Sequence, residues 1–172
     1  ITVATAPTGL SATAGDTEIA MSWSAPGNNG GSAITGYTVE YATNVDGPWT
    51  TDSTNATTTR TITGLSNGTA YFVRVQAVNA AGGSAYATGS ATPITVAAAP
   101  TGLSATAGDE QITVTFTASS SDGGSAITGY ALEYSTNAGG PWTTHTTNLT
   151  TTRTITGLSN GTAYFLRVQA LN

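Results

Sequence analysis

The chain has 172 residues, no cysteine, one histidine and a formal net charge of -5. Only 8% of its residues are charged, against about 25% in an ordinary soluble domain, and its only strong cations are Arg60, Arg74, Arg153 and Arg167. This balance excludes disulfide, thiolate-metal and thiol-nucleophile chemistry, and it speaks against phosphate backbones and anionic lipid as partners.

A hydrophobic content of 38% is enough for packed cores. No apolar run of about 18 residues exists, so no membrane insertion is expected. The abundant threonines alternate with apolar residues, which fits the exposed faces of strands. O-glycosylation of a secreted stalk is the other reading of that composition.

In chain order, 1–6 reads as a linker segment and 7–93 as a first domain. A strand is expected over 8–14. The next, over 17–24, alternates Ile19, Met21 and Trp23 with Ala20 and Ser22, which places the large residues on one face. A third over 34–42 alternates Tyr37, Val39 and Tyr41 with Thr38 and Glu40. Strands over 47–53 and 57–63 follow. One over 69–78 carries Tyr71, Val73, Val75 and Ala77 on one face and Phe72, Arg74 and Gln76 on the other. A last strand is expected over 84–92. Glycine and proline punctuate between them, and no stretch has a helical period.

At 94–99 the linker returns, and 100–172 repeats the first domain. Aligning 1–79 with 94–172 gives 57 identities in 79 positions at a constant offset of 93, without a gap. A unit of that size is a domain, not a solenoid rung. The most diverged region is the second strand and the loop after it. There Trp23 becomes Phe116, Met21 becomes Val114, and 26–29 becomes Ser119-Ser120-Ser121-Asp122. Copy one continues through 80–93, a stretch without a counterpart in copy two. The second domain is therefore expected to lack its last strand and to leave an open edge along Tyr164, Phe165, Leu166, Arg167 and Val168. Truncation, a strand donated by a neighbouring subunit, and continuation into a partner segment all account for that edge.

These residues carry a family resemblance. Trp23 on the second strand, Gly36-Tyr37-Thr38-Val39-Glu40-Tyr41 on the third, and Leu65-Ser66-Asn67-Gly68-Thr69-Ala70-Tyr71 leading into the sixth resemble the fibronectin type III family. The resemblance implies an all-β fold of two tandem immunoglobulin-like sandwiches. Their cores would hold Trp23, Tyr37, Leu65 and Tyr71 in one domain and Phe116, Tyr130, Leu158 and Tyr164 in the other. It also implies a tyrosine corner, in which the Tyr71 and Tyr164 hydroxyls bond to nearby backbone. The fold hosts many roles and does not name one.

Side-chain chemistry is sparse. Only Asp16 and Glu40 are acidic in both copies, as Asp109 and Glu133, and they lie on different elements. Glu40 with Arg74, and Glu133 with Arg167, read as cross-strand pairs. His145 has no serine–acid arrangement around it. Neither Asp109-Glu110 nor Asn28-Asn29 offers the six to eight oxygens that calcium takes. No cofactor, metal or catalytic residue is assigned. Asn55, Asn67, Asn148 and Asn160 each begin an Asn-x-Thr sequon; Asn67 and Asn160 also sit in an Asn-Gly turn. The loops 27–31 and 80–85 lack the aromatic and arginine anchors of tight interfaces, and Arg-Gly-Asp is absent. Phe72 and Phe165 are the candidates for weak carbohydrate or surface contacts.

The expectation is a non-enzymatic structural or adhesive module of a long extracellular or cell-surface protein or filament. Its partners would be neighbouring repeats or further copies of itself. A spacer in a secreted polysaccharide-degrading enzyme and a phage virion decoration domain are the alternatives.

Overall fold

The computed structural model describes residues 1–172, and every regular element in it is a β-strand. The chain divides into two compact units, Ile1–Thr95 and Val96–Asn172.

In the first unit, β1 (Thr8–Ala14), β2 (Glu18–Ser24) and β5 (Thr59–Thr63) form one antiparallel sheet in the order β1-β2-β5. The other sheet contains β3 (Gly36–Ala42), β4 (Thr50–Asn55) and β6 (Tyr71–Asn79) in the order β4-β3-β6. On its far side β6 pairs with β7 (Gly82–Gly83) and β8 (Ala87–Ala91). The period-2 pattern decides which residues face inward. Ile19, Met21, Trp23 and Ile62 from one sheet meet Tyr37, Val39, Val73, Val75 and Ala77 from the other, and all are buried. The Trp23 and Tyr37 rings pack edge to face, 5.5 Å between centroids.

Two strands of this unit depart most from their expected positions, the others beginning within two residues of theirs. The strand expected at 47–53 starts at Thr50. Gly47 has φ +90°, and Pro48 has no N–H to give to a ladder. A Cβ on Gly47 would lie 2.8 Å from Trp49 Cδ1, so this turn requires glycine. The strand expected at 84–92 is split. Val78 pairs with Gly83 but Val75 with Ala87, so three steps on β6 face four on its partner. The extra residue makes a bulge. Opposite it on β6, Ala77 is served by Ser84: Ala77 N donates to Ser84 Oγ at 3.0 Å, and Ser84 N donates to Ala77 O at 2.8 Å.

The segment 1–6, expected as a linker, instead packs on the first unit. Thr2 N donates to Gly30 O at 2.9 Å, Thr5 N donates to Asn28 O at 3.0 Å, and Ala4 is buried. Gly30 has φ +70°, and a Cβ there would meet Thr2 O at 2.1 Å. The segment's fit therefore depends on that glycine. At the far end of the unit, Pro93 is fully buried and Ile94 N donates to Gly15 O at 3.1 Å.

The second unit repeats the plan. β9 (Thr101–Gly108), β10 (Gln111–Thr117) and β13 (Thr152–Thr156) make one sheet; β11 (Gly129–Ser135), β12 (Thr143–Asn148) and β14 (Phe165–Leu171) make the other. Val114, Leu132, Ile155 and Leu158 form its core cluster. Phe116 and Tyr130 are buried edge to face, whereas Tyr164 is only partly buried. Losses of volume at Met21→Val114 and Trp23→Phe116 are met by gains at Val39→Leu132 and Val73→Leu166. Exchanges that conserve total volume preserve a core.

Candidate functional site

The most organised surface lies on the outer face of the sheet that contains β3 and β6. Glu40 and Arg74 are register partners on these strands, and alternation turns both side chains outward. Arg74 Nε donates to Glu40 Oε2 at 2.7 Å, and Thr51 Oγ1 on β4 donates to Glu40 Oε1 at 3.2 Å. The Arg74 guanidinium lies over two rings, 3.9 Å from the centroid of Trp49 and 4.1 Å from that of Tyr86. Trp49 comes from the turn after β3, and Tyr86 from the bulge before β8. Beside this stack runs a groove of about 480 Å³ lined by Val45, Trp49, Phe72, Tyr86, Thr88 and Ser90, among others.

The second unit keeps part of this arrangement. Arg167 Nε donates to Glu133 Oε2 at 2.6 Å, and the guanidinium lies 4.2 Å from the Trp142 centroid. The Arg167 side chain is 53% exposed and Arg74 24%, because Arg74 alone has a second ring over it. Both expected cross-strand pairs are therefore present, with an aromatic partner that alternation did not reveal.

Electrostatics at the site follow from these contacts. Burial would raise the Glu40 pKa, but hydrogen bonds from Arg74, Tyr86 and Thr51 and the Arg74 charge outweigh it, so the carboxyl lies below its ordinary value. Tyr86 is pushed up by burial and by its contact with the Glu40 carboxylate. Glu133 is lowered, chiefly by its hydrogen bond from Arg167. The carboxylates are engaged by arginine and hydroxyl groups, beside the rings that line the groove.

The remaining candidates fall into place individually. Asp52 pairs with Arg60 across β4 and β5. In the second unit His145 replaces that acid and is partly buried, and Arg153 turns onto backbone. Arg153 donates to the carbonyls of Thr146, Asn148 and Thr150 at 2.7 to 3.1 Å and is buried, which lowers its pKa. Asn28 and Asn29 accept bonds from Gly30 N and Gly31 N within their own loop, and no three His, Asp or Glu side chains come together. Asp109 accepts a bond from Asn160.

The sequons form two pairs. Asn67 Nδ2 donates to Asp16 Oδ1 at 2.8 Å, and its Oδ1 accepts from Thr17 N at 2.9 Å. Asn160 does the same with Asp109 and Glu110 N. Thr17 and Glu110 have φ of 55° and 51°, a left-handed conformation unusual for these residues. Asn55 and Asn148 end β4 and β12, and their Oδ1 atoms accept from N and Oγ1 of Thr57 and Thr150.

The tyrosine corner is present in both units: Ser66 N donates to the Tyr71 hydroxyl, and Ser159 N to that of Tyr164, each at 3.1 Å. Phe72 lines the groove, and Phe165 is 45% exposed. Tyr164 lies just before β14; Phe165, Leu166, Arg167 and Val168 lie on it. β14 pairs with β11 on one side, and among the described residues no strand pairs its other side. Sequence reasoning missed Trp49 and Tyr86. The Gly-Pro-Trp turn, present in both copies, was the available signal for the first.

A family model described as "Fibronectin type III domain" matches residues 5–92 and 98–172. The chain is similar to "Chitinase A1" of Niallia circulans, 34% identical over 163 residues, covering 88% of this chain and 21% of that protein. It thus spans about a fifth of this relative's length. Among solved structures it is similar to the twitchin kinase region of C. elegans, with TM-score 0.48, 29% identity, and coverage of 54% of this chain and 16% of that one. It is also similar to the chicken CNTN1 FN1–FN3 domains, with TM-score 0.48, 18% identity, and coverage of 99% and 63%.

Proposed function

The chain belongs to the fibronectin type III family, and on that premise we propose that it is a non-catalytic spacer module of an extracellular polysaccharide-degrading protein. The observation that carries this reading is the match to Chitinase A1, which takes in most of this chain and only a fifth of the relative. The site chemistry supports it. Glu40, Asp52 and Glu133 are each held by an arginine, an arrangement that maintains a surface and does not poise a general acid.

The test inserts the chain between the catalytic and carbohydrate-binding domains of a chitin hydrolase, beside a Gly/Ser linker of equal length. Hydrolysis of soluble oligosaccharide is expected to be unchanged, and hydrolysis of insoluble chitin to be faster with the folded spacer. Equal rates on insoluble chitin, or sugar release by the purified chain alone, would contradict the reading.

The 57 identities between copies favour a second reading, a repeat of a long surface protein or filament. Self-association would then run through strand addition along the outer edge of β14, from Phe165 to Val168. Concentration-dependent oligomers that persist when Leu166 and Val168 are both replaced by proline would contradict that route.

A further inference from the structure

Four asparagines share one sequence motif, and the fold treats them in two ways. We propose that Asn55 and Asn148 are N-glycan acceptor sites, and that Asn67 and Asn160 are not. This goes beyond the spacer reading and does not rest on it.

The amide nitrogen is the atom that is glycosylated, so its partners decide the matter. In Asn67 and Asn160, Nδ2 is held at 2.8 Å by Asp16 and Asp109, while Oδ1 caps the backbone N–H of Thr17 and Glu110. These two amides fasten the β1–β2 and β9–β10 turns to the loops before β6 and β14. A glycan would replace one of the two N–H donors of Nδ2 and crowd the carboxylate it bonds, beside the turn whose left-handed, non-glycine residue is held by Oδ1 of the same amide.

In Asn55 and Asn148 the side chains bond through Oδ1 alone and Nδ2 donates to no protein acceptor; the bond from Arg153 reaches Asn148 at its backbone carbonyl. Their Oδ1 atoms bond to the Thr57 and Thr150 hydroxyls at 2.9 and 2.7 Å, which draws together the two side chains that define the motif. The middle residues, Ala56 and Leu149, are exposed, Leu149 by 61%. The same geometry appears in both units although the middle residue differs.

The transfer balances with a lipid-linked diphosphate glycan as donor. Nδ2 attacks the anomeric carbon and a C–N bond forms. The C–O bond to the diphosphate breaks, the lipid diphosphate leaves with the electron pair, and the Nδ2 proton passes to a base of the transferase. The location gives the glycan a role. Asn55 and Asn148 are the last residues of β4 and β12, which are edge strands without proline or lysine. A glycan there covers an edge that could otherwise pair with another chain.

The test secretes the whole chain from a eukaryotic host, together with a control protein that bears an Asn-x-Thr sequon. Glycopeptide mass spectrometry then reads each site in the folded fraction. Two glycans per chain are expected, on Asn55 and Asn148. Asn55→Gln and Asn148→Gln should each remove one; Asn67→Gln and Asn160→Gln should remove none. Glycan on Asn67 or Asn160 of folded chain would overturn the proposal. So would a bare Asn55 or Asn148 while the control protein is glycosylated.

Discussion

Arg74 and Arg167 occupy equivalent positions, pair with equivalent glutamates and stack on equivalent tryptophans, yet only Arg74 has a ring on each face. A cation–π contact contributes about 0.5–1 kcal/mol when exposed and about 2 kcal/mol when desolvated. Arg74→Ala is therefore expected to destabilise its unit by about 1–2 kcal/mol in urea unfolding, and Arg167→Ala by less than half of that. The acid partner adds a pH dependence of definite sign. Because the Glu40 pKa is lowered on folding, its contribution is fully present above the ordinary carboxylate pKa and is lost as pH falls through the lowered value. Stability measured from pH 6 down to pH 3 should decline less steeply in Glu40→Gln than in the parent chain. Arg153 supplies the opposite contrast. Its guanidinium is the donor for three backbone carbonyls, whereas Arg60 pairs with one aspartate near the surface. Arg153→Ala should cost about 2–3 kcal/mol, and Arg60→Ala no more than about 1 kcal/mol, in the same unfolding experiment.

At the scale of the element, alternation alone places Glu40 and Arg74 outward and Val39, Val73 and Val75 inward, so the strands and their pairing are legible before any coordinates. The stack's outer members are not legible that way. Trp49 lies in a turn and Tyr86 in a bulge, where period-2 reasoning does not apply. The inward turn of Arg153 is also hidden, because it follows from losing an acid eight residues upstream, where His145 replaces Asp52. The packing of 1–6 escaped for another reason. Its partner is the loop at 28–30, and a short apolar-polar run next to a proline has the composition of a linker. The β1–β2 turn shows how such distant contacts stabilise a local shape. Thr17 holds a left-handed conformation that costs roughly 1–2 kcal/mol, and the Asn67 side chain compensates for it. Asn67→Ala should lower stability by about 1–2 kcal/mol, and adding Thr17→Gly should recover part of the loss. Thermal unfolding of the single and double variants checks both.

Across the whole molecule, the two units differ in how much core they hold. The first buries twelve residues in one cluster and the second four, so the second should unfold at lower denaturant. The central claim is that each copy is a self-contained sandwich, as a spacer built of domains requires. Pulling the 172-residue chain from its two ends tests this most directly. Two separate unfolding events are predicted, the weaker first. The stronger, from the first unit, should release roughly 250–300 Å of extended chain. A single event that releases both units together, or extension with no event at all, would contradict the account.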